Sequence, residues 1–147
     1  MDFPSTPRLP LFGSEAVRAT DAEAIQRLGG RGIDLMERAG AIAFQCITDW
    51  RPKARTLSAL AGRGNNGGDA YIVARLAVEA GWDVRVYPST PESLPKGDAA
   101  IARERYLAAG GPILDFIPED FEAVEILVDG LFGTGLARKI EGHDALI

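Results

Sequence analysis

A chain of 147 residues is long enough for one domain with one hydrophobic core, and its 46% apolar and 25% charged residues are typical of a globular protein. The net charge of −5, without a cluster of Lys or Arg, gives no electrostatic support for nucleic-acid binding. One cysteine and one histidine exclude an internal disulfide and a zinc site built from these residue types.

The chain opens on a proline-rich segment. Residues 1–13 (MDFPSTPRLPLFG) contain three prolines and no long apolar run. They match neither a signal peptide nor a membrane span, so we expect a flexible lead-in, no membrane partner and a cytoplasmic protein. Residues 14–147 are expected to form the folded domain.

Two helices are predicted before any strand. Thr20 and Glu23 have the spacing of a capping box, which predicts a first helix over residues 21–28. The same spacing at Asp34 predicts a second helix that ends at Arg51-Pro52. The apolar residues of this second helix recur every three or four positions, which predicts a core-facing stripe and a buried, inert thiol at its cysteine. The stripe is Leu35, Ala39, Ile42, Cys46 and Trp50.

Strands and helices alternate in the rest of the chain. This alternation is typical of βαβ units, so it predicts a Rossmann-like α/β fold: a three-layer sandwich with a mostly parallel sheet and the two early helices packed on it. The predicted elements are a strand over 56–61, a helix over 67–80, a strand over 83–87, a helix over 96–109, a weak strand over 112–117, a strand over 124–129 and a helix that begins near residue 141.

A glycine-rich run lies where the first predicted strand passes into a helix. The carboxyl edge of a parallel sheet is where ligands bind, and the start of a helix presents free N–H groups to an anion. The side-chain oxygens of Asn65 and Asn66 suit a cation or a sugar hydroxyl, and Asp69 is expected in the first helical turn, where the helix dipole stabilises a carboxylate. The glycines expected to take positive φ and to let a ligand approach are Gly62, Gly64, Gly67 and Gly68.

A second glycine-rich loop follows the last predicted strand. Asp129 ends that strand and Gly133-Thr134-Gly135 comes after it. If the strands are parallel, both loops meet at one edge and face one cleft. The first run has the G-x-G-x-x-G spacing of dinucleotide-binding loops, but its Asn-Asn pair is foreign to dehydrogenases, and no Gly-Lys-Ser/Thr follows as a P-loop would require.

The two motifs together, GRGNNGGDAYIVAR and VDGLFGTGL, resemble the NAD(P)H-hydrate epimerase family. Residues 14–140 carry the similarity, including Val17-Arg18 and the run from Leu35 to Gly40 in the early helices. The resemblance implies an isomerase with a Rossmann-like fold that interconverts the R and S forms of hydrated NADH or NADPH and uses K⁺. It also implies a small-molecule substrate, and it leaves room for a homo-oligomer and a fused dehydratase domain.

The resemblance assigns residues by position. Asp129 would be the acid–base group, and Asn66 and Asp129 would bind potassium. The substrate-binding residues would be Asn65, Asn66, Gly67, Gly68, Asp69, Gly133, Thr134, Gly135, Leu136, Ala137, Arg138 and Lys139.

The sequence departs from the family pattern in three places. Ala70 stands where glycine is common, and Gly130 where alanine is common. The third departure is that the sequence ends at Ile147, before an Asp-x-Pro-Ser-Gly element with which the family continues. That element supplies another substrate ligand and another potassium ligand, so we expect an incomplete site and a truncated domain. Two alternatives stay open. One is a non-catalytic interaction module of the same fold, and the other is a dehydrogenase, which Tyr87-Pro88 disfavours because an acidic residue is expected there.

Overall fold

The structure is a computed structural model, and it describes residues 12–89, 94–115, 124–133, 136 and 139–140. Its elements are α1 (Ser14–Arg27), α2 (Gly32–Trp50), β1 (Thr56–Ala61), α3 (Asn65–Glu79), β2 (Asp83–Pro88), α4 (Asp98–Ala108) and β3 (Ile126–Gly130). The predicted lead-in, residues 1–13, lies outside the described residues except for its last two, and so does the helix predicted near residue 141.

The strands form one parallel sheet in the order β2-β1-β3. The Rossmann-like α/β fold is therefore confirmed, and β1 has the predicted bounds. The weak strand predicted over 112–117 is reduced to a single parallel bridge between Val86 and Ile113. The order places β1 between the two strands that follow it in the chain, so the chain reverses direction across the sheet between β2 and β3.

Both early helices begin sooner than predicted. Thr20 is not a cap, because its hydroxyl donates to the carbonyl of Ala16 one turn earlier within α1. Residues 14–19 contain good helix formers and no breaker, so the helix extends back through the capping-box signal to Ser14. Asp34 lies in the first turn of α2 and forms an ion pair with Arg31 at 2.7 Å rather than a side-chain cap.

The core lies between the sheet and the helices α2, α3 and α4. α3 is the helix that packs most extensively on the described sheet, and α2 and α4 pack against α3. Glu37 on α2 accepts hydrogen bonds from Arg75 on α3 and Arg105 on α4, each at 2.6 Å, and so ties the three helices together. Among the described residues, the largest fully buried side chains are Tyr71, Tyr87, Tyr106, Leu57, Ile72 and Val86.

The prediction for the core-facing side of α2 is wrong. Its inner face consists of Ile33, Met36 and Gly40, which are buried, with Phe44 and Ile47 packed against the core. Much of the predicted stripe faces solvent instead: Ile42 is 64% exposed, Trp50 is 65% exposed and Cys46 is exposed. α2 carries apolar residues on two adjacent faces, and periodicity alone does not decide which of them is buried.

Candidate functional site

The carboxyl ends of β1 and β3 lie side by side, as the parallel prediction requires. Leu60 is in register with Asp129, and Ala61 with Gly130. Beyond the strands, the amide of Gly62 donates to the carbonyl of Gly130 at 2.9 Å. The two glycine-rich loops therefore touch each other, and their side chains face one edge of the sheet.

Three glycines of the first loop are explained by close packing. A Cβ on Gly62 would overlap with the carbonyl of Leu131, and one on Gly67 would overlap with the carbonyl of Gly62. A Cβ on Gly68 would lie 2.7 Å from Sδ of Met36 and 3.0 Å from Cα of Ala99. Space for the neighbouring backbone and side chains, rather than for a ligand, therefore accounts for these glycines.

The expectation of positive φ in this loop is wrong. Among the described residues, the glycines with positive φ are Gly29, Gly30, Gly81, Gly97 and Gly110, all near helix ends. Gly64 differs from the other glycines of its loop, because it is exposed and a Cβ there would meet nothing within 4 Å. Of the four glycines, it is the one beside open space.

Asn66 joins the two loops through its side chain. α3 begins at Asn65, two residues earlier than predicted, so Asn65 and Asn66 form the first turn of the helix. The half-buried Asn66 donates from Nδ2 to the carbonyl of Phe132 at 3.1 Å. That bond fixes the amide plane, and Oδ1 is the atom that remains able to accept a hydrogen bond or to bind a cation.

Asp129 is exposed at the end of β3, with Gly130 beside it. Its Oδ1 accepts the N–H of Leu131 at 3.0 Å, which holds the carboxylate against its own loop. A Cβ on Gly130 would lie 2.9 Å from the backbone oxygen of Asn66 and 2.6 Å from Cβ of Ala70. The small residues at 70 and 130 therefore let β3 approach α3 closely, and this approach brings Asp129 next to the first turn of that helix.

Asp69 has an unusual electrostatic environment. Burial and, to a smaller extent, the nearby Asp21 carboxylate together raise the pKa of its carboxyl from 3.8 to about 6. The expected position in the first helical turn is wrong, because α3 begins at Asn65 and has no acidic residue in its first turn. Desolvation therefore outweighs any stabilisation of the anion by the helix dipole.

An open cavity of about 1080 Å³ lies between the two loops and α1. It is large enough for a ligand of dinucleotide fragment size. Its described lining residues are Arg18, Asp21, Gly64, Asn65, Asn66, Asp69, Asp129, Leu131, Phe132, Gly133 and Leu136.

The structure brings together part of the predicted site. Six of the predicted residues line the cavity: Asn65, Asn66, Asp69, Asp129, Gly133 and Leu136. Gly67 and Gly68 are buried behind it, and Lys139 is exposed. Thr134, Gly135, Ala137 and Arg138 lie outside the described residues, so their predicted contacts stay predictions.

Sequence reasoning missed the contribution of α1. Arg18 and Asp21 are three residues apart, so they share one face of that helix, and both line the cavity. The available signal was a charged pair in a helix that buries no residue of its own. Arg18 is the one cation among the described lining residues, which include the three carboxylates of Asp21, Asp69 and Asp129.

Other possible sites in the described part of the chain are less complete. A cavity of about 420 Å³ lies at the opposite edge of the sheet, between Trp50, Lys53 and Glu125. The described residues contain no group of three or more His, Cys, Asp or Glu side chains arranged to hold a metal ion. None of the described helices is both long enough and apolar enough to span a bilayer.

Comparison with known proteins shows which family this chain resembles. A family model described as "YjeF-related protein N-terminus" matches residues 32–147. The chain is 42% identical over 125 residues to the bifunctional NAD(P)H-hydrate repair enzyme Nnr of Escherichia coli, covering 85% of this chain and 24% of that protein. It is 41% identical to the NAD(P)H-hydrate epimerase of Bordetella pertussis (85% of this chain, 54% of that protein).

A third relative, the NAD(P)H-hydrate epimerase of Rhodobacter capsulatus, is 36% identical over 90% of this chain and 66% of its own length. Among solved structures, yeast ynu0 (YNL200c) superposes with a TM-score of 0.73 at 21% identity, covering 90% of this chain and 60% of the yeast chain. That likeness shows the fold. The chain spans between a quarter and two thirds of the length of these curated relatives.

Proposed function

The chain belongs to the family of YjeF-related protein N-termini, and from this premise we propose that it is the epimerising domain of an NAD(P)H-hydrate repair protein. Its reaction would interconvert the R and S hydrates of NADH or NADPH. Three relatives bear names for this activity or for the wider repair function. In bifunctional relatives of the Escherichia coli type, the partner would be a fused dehydratase domain.

The observation that carries the proposal is the meeting of Asn66 and Asp129 at one cavity. These residues come from different strand–helix units, and the small residues at 70 and 130 allow the units to approach. The lining of the cavity combines carboxylate and amide oxygens with the apolar side chains of Leu131 and Phe132. Such a mixed lining suits a polar nucleotide with a flat ring.

The proposed reaction needs acid–base chemistry and no redox partner. The hydrate carries a hydroxyl on a carbon next to the ring nitrogen. The C–O bond breaks as a proton reaches the leaving oxygen, and the nitrogen lone pair stabilises the resulting cation. Water then adds to the opposite face and loses a proton to a base.

Asp129 is our candidate for the group that gives and takes this proton. Its Oδ1 accepts the N–H of Leu131, which leaves Oδ2 as the oxygen to contact the ligand. Asp69 lines the same cavity with a carboxyl pKa raised to about 6, so a fraction of this carboxyl is protonated near neutral pH. We propose that Asp69 binds the substrate as a hydrogen-bond partner whose role depends on that protonation.

We also propose that K⁺ binds at this edge of the sheet. The donor set suits it, because Asn66 Oδ1 is directed away from the Phe132 carbonyl and Asp129 supplies a carboxylate, and hard oxygen ligands are those that such a cation prefers. Two side chains would form part of a coordination shell. When bound, the ion would supply positive charge that orders the oxygens of the substrate and its water.

The test is the rate at which purified complete protein equilibrates R and S hydrates, followed by chromatography. We expect catalysis above the buffer rate, with a dependence on K⁺ that Asn66→Ala weakens. Asn65→Ala, at the exposed neighbouring position, should keep the half-saturating potassium concentration while changing KM. No catalysis in a folded wild-type protein would refute the epimerase function, and an unchanged potassium response in Asn66→Ala would refute the cation site.

A further inference from the structure

Helix α1 is attached to the rest of the fold at its carboxyl end. Its half-buried residues all lie in the segment 24–28, and residues 14–23 are exposed throughout. This exposed part nevertheless lines the cavity through Arg18 and Asp21. Burial of an apolar face is what normally holds a helix in place. Packing therefore does not account for the position of residues 14–23 beside the cavity.

The connection from α1 to α2 contains two glycines in a conformation that other residues rarely adopt. Gly29 and Gly30 have φ values of 71° and 81°, and a Cβ on either would meet nothing within 4 Å. A glycine pair in open space lets the backbone change direction at low energetic cost. Helix α1 can therefore turn about these two residues while α2 stays packed on α3.

The charges between α1 and α3 oppose a close contact of the two helices. The Asp21 carboxylate of α1 is near enough to Asp69 of α3 to raise the pKa of the Asp69 carboxyl. When both groups are ionised, they repel each other. Neither apolar burial nor this charge pair draws residues 14–23 towards α3. A ligand that contacts both α1 and the glycine-rich loops would supply the missing attraction.

Arg18 is suited to make that contact on the α1 side. It is the one cation among the described lining residues, and it forms no ion pair with a carboxylate of the described part of the chain. The other charged groups among these lining residues are carboxylates, which repel an anion. An anionic group of a ligand is therefore attracted to Arg18, whose guanidinium can donate two parallel hydrogen bonds to phosphate oxygens.

We propose that Arg18 binds the diphosphate of the substrate and that this contact closes α1 over the occupied cavity. The inference rests on the proposed function for the identity of the substrate, because the hydrates of NADH and NADPH carry a diphosphate between their two nucleosides. Arg18, Asn66 and Asp129 line one cavity, so one ligand contacts all three. Its hydrated ring lies at Asn66 and Asp129, and its diphosphate lies at Arg18. The closed helix then shields the ring from bulk water.

Binding of ADP-ribose to the complete protein, measured by calorimetry, tests the contact without any catalysis. ADP-ribose contains the diphosphate and lacks the nicotinamide ring. Arg18→Gln should weaken its binding roughly 10- to 100-fold, because charge-assisted hydrogen bonds are lost. Arg18→Lys should recover part of the affinity, since the positive charge remains. Arg27→Gln is the matched control, because Arg27 belongs to the same helix, pairs with Glu23 and is not among the described lining residues.

The control and a second probe define what would overturn the contact. Arg27→Gln should keep the affinity within about two-fold of wild type, since an exposed ion pair contributes little. An affinity that Arg18→Gln leaves unchanged, or an equal loss in Arg27→Gln, would overturn the proposal. The 2′-phosphate of ADP-ribose distinguishes the diphosphate from the additional phosphate of NADPH. Equal fold-losses for the two compounds support the proposal, and a loss confined to the 2′-phosphorylated compound would overturn it.

The variant Arg18→Gln also separates this contact from the epimerase function. In the equilibration assay it should raise KM by roughly the same 10- to 100-fold factor. A wild-type protein that does not epimerise but binds ADP-ribose through Arg18 would refute the function and support the contact. A wild-type protein that epimerises, with KM unchanged in Arg18→Gln, would overturn the contact and leave the function standing.

Amide hydrogen exchange tests the closure of α1. Saturating ADP-ribose should slow exchange in residues 18–27 of the wild-type protein, because the bound ligand fixes a helix that packing holds only at one end. Arg18→Gln, brought to the same occupancy, should show no such slowing. Helix α4 is the internal reference, since it contributes none of the described lining residues. Slowing in α1 that persists in Arg18→Gln, or that is absent from wild type, would overturn the closure.

Discussion

The buried floor behind the cavity and the rim that lines the cavity use their residues in opposite ways. In the floor, Gly62 and Gly67 are buried, and packing of one backbone on another leaves no room for a Cβ. On the rim, Asn66 and Asp129 present oxygens to open space. A glycine-rich sequence at a ligand site therefore need not touch the ligand. Here the glycines let two loops meet, and the meeting gives the polar side chains their positions.

The strongest test of this difference is to add one methyl group to a buried glycine of the floor and one to a glycine that lines the cavity. Gly67→Ala should lower the free energy of unfolding by more than about 3 kcal/mol, because the new Cβ overlaps with a backbone oxygen that cannot move without moving the loop. Gly64→Ala should cost less than about 1 kcal/mol, since its φ of −96° is allowed for alanine and the space is open. Urea unfolding measures both.

Equal losses in the two variants would show that the floor and the rim are not distinct. Enzymatic assays of Gly64→Ala add a second comparison, because Gly64 lines the cavity. Its KM should change even though its free energy of unfolding stays within about 1 kcal/mol of wild type.

The ion pairs of Glu37, which join the helices packed on the sheet, predict a smaller effect on the free energy of unfolding. Glu37→Gln weakens charge-assisted hydrogen bonds to Arg75 and Arg105, and the Arg75 side chain is 15% exposed. We expect a loss of about 2 kcal/mol in the free energy of unfolding. Glu79→Gln, which weakens the more exposed pair with Arg75, should cost less than about 1 kcal/mol. A larger loss from Glu79→Gln than from Glu37→Gln would contradict this reading.

Asp69 predicts the smallest effect, and it depends on pH. Its carboxyl pKa is raised from 3.8 to about 6 in the folded state, so the fold is favoured while the carboxyl is protonated. That contribution is complete below pH 4 and is lost as the pH rises through 6. Asp69→Asn should therefore raise Tm by about 2–4 °C at pH 8, a shift discounted for partial exposure, and by much less at pH 4.

The variant Asp21→Asn provides a control for the cause, because the Asp21 carboxylate is the second contributor to the raised pKa. It should give part of the same gain at pH 8. A gain in Asp69→Asn that is equal at both pH values would show that packing, rather than ionisation, is responsible.

The sequence predicted the sheet better than the helix surfaces. β1 is a central strand whose buried run is bounded by polar residues and glycine, so its limits are visible locally. The apolar stripe of α2 from Leu35 to Trp50 was predicted to face the core because α2 has two apolar faces, and only packing against α3 distinguishes them. The capping signal in α1 failed for a similar reason, since good helix formers on the amino-terminal side of Thr20 allowed the helix to extend.

In the candidate site too, some residues could be placed from the sequence and others could not. Asn66 and Asp129 could be placed together from the sequence, because parallel strands bring their carboxyl ends to one edge. Arg18 could not be placed there, since its position depends on how α1 packs against α2. The reason for the glycines was also out of reach, because the sequence does not specify which backbone atoms will approach them.

The central claim is that the rim carries the chemistry while the floor only holds it in place. Asp129→Asn, measured for epimerisation rate and for Tm in one preparation of complete protein, tests this most directly. Asp115→Asn is the control, because Asp115 is exposed and is not among the lining residues of the cavity. We expect Asp129→Asn to lower the rate by roughly 100- to 10,000-fold at matched substrate occupancy while Tm stays within about 2 °C of wild type. A rate within a few-fold of wild type, or a fall in Tm large enough to explain the lost activity, would contradict the account.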